Sequence, residues 1–222
     1  LGLTLNTPLF FLLFMIIAGV EEAGRGPVIG PMVMVLACVE ERDEFKLKAM
    51  GVKDSKLLTP AQRENLYHEI QDLCTFEMVK IQPEEIDAAV FSEETNLNWL
   101  EADHSVIMIN KLRPDKVILD CPSTNIEAYR NYILKKLDYK PILVVEHKAD
   151  VHYTIVGAAS ILAKVARDHE IKKLKAKYGV DFGSGYPSDP KTVDFVTHNF
   201  DKYPFFRHSW DPWQQAKKRG GQ

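Results

Sequence analysis

The sequence predicts an α/β fold, a sheet flanked by helices with a helical C-terminal region. Three observations carry this reading. Apolar runs at 16–20, 33–39, 117–119 and 142–145 are rich in β-branched residues and too short for helices, which suits buried strands. Longer stretches at 60–73, 98–112 and 154–178 show helical spacing or helix-start signals. No internal repeat and no dividing linker interrupts the 222 residues, a length that suits one sizeable domain.

Taken in order, residues 1–14 are expected to be a leader outside the domain, with Met15 as the natural start. The apolar run 8–20 is too short for a membrane span and lacks the basic flank of a signal peptide. A strand from Ile16 ends in Glu21-Glu22, and Gly24-Arg25-Gly26-Pro27 follows as a tight turn. A second strand is expected over 28–39, a short charged helix over 40–50 and a loop over 51–56. Thr59-Pro60 opens a helix to about Leu73, with Thr59 as N-cap and Pro60 in its first turn. A strand over 76–81 precedes a helical region from Pro83 and the amphipathic helix 98–112. Strand 116–120, helix 126–137 and strand 141–145 come next. The helix 154–178 is small and apolar in its first half and basic in its second. Residues 181–190 form a loop of Gly, Ser and Pro, and 192–200 a short helix. The domain is expected to span 15–213, with 214–222 a disordered basic tail.

The net charge is -3, with 45% apolar and 27% charged residues, which argues against a general polycation. The charge is uneven: seven acids and no Lys or Arg lie within 84–103, and six bases lie within 163–178. The basic run reads either as a solvated helix face or as a patch that meets a phosphate backbone. Cys38, Cys74 and Cys121 are widely spaced, without zinc-site spacing, and predict a reduced, cytoplasmic setting.

Four acids stand at or just after strand ends: Glu21, Glu22, Asp120 and Asp150. Neighbouring strand residues face opposite ways, so Glu21 and Glu22 diverge unless a twist brings both to one ligand. If strand ends of one sheet bring these acids together, they repel unless cations neutralise them. Mg²⁺ or Mn²⁺ suits an all-oxygen ligand set, and a pair of such ions can support phosphodiester cleavage. The glycines beside Arg25 let backbone approach something bulky and anionic, and Arg25 supplies the matching charge. His147 reads either as a proton shuttle or metal ligand, or as a structural loop histidine. Tyr186 sits on a glycine-rich loop where its ring could stack on a sugar or base.

These residues resemble the ribonuclease HII (type 2 ribonuclease H) family in its archaeal form, from Ile16 to about Trp210. Six segments carry the resemblance: Glu21-Glu22-Ala23-Gly24-Arg25-Gly26-Pro27, Val52-Lys53-Asp54-Ser55-Lys56, Val117-Ile118-Leu119-Asp120, His147-Lys148-Ala149-Asp150 with Tyr153, Ala158-Ala159-Ser160-Ile161-Leu162-Ala163-Lys164-Val165, and Gly183-Ser184-Gly185-Tyr186 with Pro187-Ser188-Asp189-Pro190. The resemblance implies a ribonuclease H-like mixed sheet flanked by helices. It implies a two-metal-ion endonuclease that cuts RNA in RNA–DNA hybrids and ribonucleotides embedded in duplex DNA, leaving 5′-phosphate and 3′-hydroxyl ends. The family's four metal-binding and catalytic acids fall on Glu21, Glu22, Asp120 and Asp150. Its Gly-Arg-Gly motif, which reads the ribose 2′-hydroxyl, falls on Gly24, Arg25 and Gly26, and its substrate-sensing tyrosine on Tyr186. Lys53, Ser55, Lys148 and Lys164 are the expected phosphate contacts.

Two departures from the family pattern matter. Aspartate is usual where this chain has Glu21, and the longer side chain is expected to weaken activity or favour Mn²⁺. Carried further, this substitution gives a second reading, a hybrid-binding protein with impaired catalysis. In addition, Gln214-Gln215-Ala216-Lys217-Lys218-Arg219 does not form the sliding-clamp-binding motif of some archaeal relatives. No clamp contact through this tail, no membrane association and a monomeric state are expected.

Overall fold

The computed structural model describes residues 14–52 and 58–220. A five-stranded mixed sheet forms the centre, in the order β3-β2-β1-β4-β5. The strands are β1 (Ile16–Ala23), β2 (Met32–Glu40), β3 (Thr75–Ile81), β4 (Lys116–Asp120) and β5 (Ile142–Glu146). Strands β1, β2 and β3 pair antiparallel, whereas β1, β4 and β5 run parallel. A 3-10 turn (Glu41–Asp43) and α1 (Glu44–Ala49) follow β2, and α2 (Pro60–Leu73) precedes β3. Then come α3 (Pro83–Phe91), α4 (Leu97–Leu112), α5 (Ile126–Lys136), α6 (Ala149–His152), α7 (Thr154–Tyr178), α8 (Pro190–Asn199) and α9 (Asp211–Gly220).

The sheet is covered on both faces, which is why β2 is apolar throughout rather than alternating. On one face Ile17, Val33, Val35 and Ala37 meet Ile155, Ala158, Ala159 and Leu162 of α7. On the other, Ala18, Val20, Met34 and Leu36 meet Val106, Met108 and Ile109 of α4 and Ile133 of α5. The small residues of α7 let it lie very close to β1. A Cβ on Gly19 would fall 2.5 Å from backbone atoms of Ile155 and Val156. The predicted start of α2 is present in full: Thr59 and Gln62 form a reciprocal capping box.

Two expectations change, and one element is new. The second strand begins at Met32 rather than at 28, because Gly30 takes φ 84° and Pro31 follows it. Val28 and Ile29 instead join a third cluster with Phe182, Phe205, Phe206 and Trp213. The segment after β5 closes into the short helix α6. The tail expected to be disordered from 214 continues as α9 to Gly220, because Trp213 and Ala216 are buried and Trp213 Nε1 donates to the Phe200 carbonyl. The leader expected at 1–14 falls outside the described residues up to 13. All three cysteines are free and buried. Among the described residues no helix is long and apolar enough to cross a membrane.

The contact of α7 with β1 can be tested at one atom. Gly19→Ala is expected to destabilise the chain by about 2 kcal/mol or more, because the clash is with backbone that cannot rotate away. Denaturant unfolding measures this, and an unchanged midpoint would refute the close approach.

Candidate active site

The parallel register of β1 and β4 sets Val20 against Leu119, which places Glu21 beside Asp120 one residue further on. Both side chains lie on the face covered by α7, in step with Ile17 and Ile118. Asp150 comes from α6, directly after β5. Carboxylate oxygens of Glu21, Asp120 and Asp150 lie within 4.8 Å of one another. The main-chain N–H of Ala149, at the start of α6, donates to Asp120 Oδ1 at 3.4 Å, tying this helix to the strand end.

Glu22 stands beside this group and not within it. Strand alternation turns it to the face of Ala18 and Val20, toward Glu101 of α4. Four acids therefore divide into three that cluster and one at the rim. Burial, and then the neighbouring Glu22, pushes the Glu21 carboxyl well above its ordinary range. Burial raises Asp120 as well, with Asp150 adding to it. Burial and then Glu101 push Glu22 to about 7, while Arg25 opposes the shift. Oxygen-only ligands close together, with Glu21 and Asp120 holding protons more tightly than usual, fit a hard divalent cation.

A single groove is lined by Glu21, Glu22, Gly24, Arg25, Gly26, Asp120, Lys164 and Tyr186, together with Arg63, Arg167 and Asp168. Gly24 has φ 86°, and a Cβ there would fall 2.4 Å from the Arg167 side chain, so both backbone and space require glycine. Arg25 was expected to offer its charge to a ligand. Instead its guanidinium donates to both Glu101 oxygens at 2.6 and 2.7 Å and to Asn98 Oδ1 at 2.8 Å. The Arg25 side chain is thus tied to α4, while the glycines on either side of it line the groove with backbone.

The Tyr186 loop is pinned. The amide of Ser184 donates to Asp189, that of Gly185 to Thr192 Oγ1, and that of Val28 to the Gly185 carbonyl. The Tyr186 ring covers Arg167, whose Cζ lies 5.0 Å from the ring centroid. Arg167 is itself buried, and its Nε and Nη2 find no hydrogen-bond partner among the described residues. Lys164 Nζ donates to Ser160 Oγ at 2.7 Å, and Ser160 donates on to Glu21 Oε1 at 3.4 Å. Lys148 is exposed at the start of α6, outside the groove lining. His147 pairs through Nδ1 with the Cys121 carbonyl at 3.0 Å. Lys53 and Ser55 lie outside the described residues. The basic run of α7 is partly neutralised by Lys173–Glu170 and Lys175–Asp181 pairs.

Sequence reasoning did not single out Glu101, Asn98, Arg63, Arg167 or Arg207. For Glu101 a signal existed. It recurs with Ser105, Met108 and Ile109 at helical spacing, which puts a charge inside the buried stripe of α4.

Glu101, like Glu22, is pushed by burial from 4.5 to about 7, with Arg25 opposing. Such groups bind protons more tightly in the folded chain than in the unfolded one. Their stabilisation is complete below 4.5 and is lost as pH rises through about 7. The metal-free chain is therefore expected to melt lower at about pH 8 than at about pH 5.5. Added Mn²⁺ should recover more of the loss at the higher pH. Scanning calorimetry at the two pH values checks this, and a melting temperature that rises with pH would contradict it.

A family model described as Ribonuclease HII matches residues 18–212. Ribonuclease HII of Pyrococcus abyssi is 45% identical over 210 residues, covering 91% of this chain and 92% of the relative. The crystal structure of ribonuclease H2 from Pyrococcus horikoshii superposes with a TM-score of 0.85 at 42% identity, covering 92% of this chain and 98% of that one. The structure of a PCNA:RNase HII complex from Archaeoglobus fulgidus gives 0.76 at 39% identity, over 82% and 86% of the two chains. With its mixed sheet, its strand-end carboxylates and these matches along nearly its whole length, the chain belongs to the ribonuclease HII family.

Proposed function

We propose that this chain is a metal-dependent endoribonuclease that cuts the RNA strand of RNA–DNA hybrids and the 5′ side of a ribonucleotide embedded in duplex DNA. The products carry 5′-phosphate and 3′-hydroxyl ends. The observation that carries this reading is one groove in which Glu21 and Asp120, two acids of an oxygen-ligand cluster, stand next to a glycine turn and a tyrosine. Glu21, Asp120 and Asp150 would hold a divalent cation, and Glu22 at the rim would share a second. When bound, such ions activate water and stabilise the departing oxygen.

The chain's own residues position the substrate. Backbone of Gly24, Arg25 and Gly26 meets the ribose 2′-hydroxyl, the group that separates RNA from DNA at a site. The Tyr186 ring, whose edge would lie 3.8 Å from a Cβ on Gly26, closes against the same sugar. Lys164 takes a phosphate beside the acids, and Lys148, Lys53 and Ser55 are the further phosphate contacts of this reading. We read the enzyme as a cytoplasmic monomer that makes no sliding-clamp contact through its tail at 214–219.

A labelled DNA duplex carrying one ribonucleotide, beside its all-DNA twin, tests the activity with Mg²⁺, Mn²⁺ or chelator. One cut 5′ of the ribonucleotide, requiring metal and absent from the twin, is expected. Asp120→Asn should lower the rate by more than about a hundredfold, beyond the loss of an outer-shell partner. Cleavage of the all-DNA twin, or cleavage in chelator, would overturn the reading. Glu21 is drawn toward Ser160, one methylene further than aspartate reaches. Glu21→Asp is accordingly expected to raise the Mg²⁺ rate relative to the Mn²⁺ rate. Equal ratios in the two proteins would remove that role for the extra methylene.

A further inference from the structure

We propose that Arg207, assisted by Trp210, is a positioning residue for the Gly24–Gly26 turn, so that the C-terminal segment aims the amides that meet the substrate ribose. The inference rests on the reading of that turn as the ribose contact.

Arg207 is completely buried. Its Nη2 donates to the Gly24 carbonyl at 2.6 Å, its Nη1 to the Arg25 carbonyl at 2.9 Å, and its Nε to the Gly30 carbonyl at 3.0 Å. The Trp210 ring covers the guanidinium at 4.9 Å, and Trp210 Nε1 donates to the Gly26 carbonyl at 2.9 Å. All three carbonyls of the motif are thus held, those of Gly24 and Arg25 from the interior side by Arg207 and that of Gly26 by the more exposed Trp210. In a trans peptide the C=O and the following N–H point in opposite directions, and no cis peptide occurs among the described residues. Holding the Gly24 and Arg25 carbonyls inward therefore turns the Arg25 and Gly26 amides outward, toward the groove that these residues line.

Only a planar fork with several fixed donors reaches three carbonyls at once, so lysine is not equivalent here. The anchor is itself fixed. The amide of Arg207 donates to the Val28 carbonyl and that of Gly30 to the Phe205 carbonyl, so the segment runs alongside 28–30. A buried arginine serving only to fill space has no need of this arrangement, since an apolar side chain of equal volume avoids desolvating the charge.

The test is binding without turnover, with Ca²⁺ as the metal, to a duplex carrying one ribonucleotide and to its all-DNA twin. The readout is the ratio of the two affinities. Arg207→Met is expected to lower the preference for the ribonucleotide duplex about tenfold, with all-DNA affinity changed little, because phosphate contacts remain. Arg207→Lys should recover part of the ratio. Trp210→Phe, which keeps the ring and loses one donor, should lower it by a smaller factor. A folded Arg207→Met with the wild-type ratio would overturn the proposal. Should that variant not fold, a Trp210→Phe protein of unchanged melting temperature and unchanged ratio would overturn it instead. A wild-type protein without preference for the ribonucleotide duplex would show that the ribose reading of the turn had failed, and the positioning role would fall with it.

Discussion

The parallel pairing of β1 with β4 is the constraint on which the site depends. It brings Glu21 and Asp120, 99 positions apart in the chain, to adjacent strand ends on one face. Asp150 then needs only the short turn into α6 to join them. Their ionised forms are disfavoured in the protein alone: burial raises both Glu21 and Asp120, and Asp150 adds to the shift of Asp120. The rest of the fold holds them in place. The close seat of α7 on Gly19, the apolar cover on both sheet faces and the α6 amide on Asp120 leave the acids little room to separate.

Strand alternation then divides the labour between two faces. On the α7 side, Glu21 meets Ser160 and Lys164. On the α4 side, Glu22 faces the half-buried Arg25 and its buried partner Glu101. Arg25 is thus a structural cation in this arrangement: it offsets two buried acids and fixes one side of the glycine turn. With Arg207 behind the turn and Tyr186 in front of it, the three residues of the motif are held from several directions. In the role proposed for it, the turn benefits from such rigidity, because a small displacement of an amide loses a hydrogen bond.

Much of this was legible in the sequence because it is local. The strand ends with their acids, the Thr59-Pro60 helix start and the small-residue half of α7 all follow from periodicity and capping. What alternation implies for Glu22 was legible too, although the four acids read most simply as one group. The partners of the turn were not. Glu101 lies 76 residues from Arg25, and Arg207 lies 182. No local pattern connects residues at such separations. The order in α9 was missed for a related reason. Its basic composition describes the exposed face, whereas Trp213 and Ala216, which hold it down, are too few to produce a clear period.

The central claim of the proposed reading is that Glu21, Asp120 and Asp150 would form one cation site, and that the raised carboxyls of Glu21 and Asp120 give up protons as metal enters. Calorimetric titration of the metal-free chain with Mn²⁺ near neutral pH, in two buffers of different ionisation enthalpy, counts those protons directly. The account predicts net proton release on binding and loss of the binding isotherm in Asp120→Asn. Binding without proton release, or an isotherm that Asp120→Asn leaves unchanged, would contradict it.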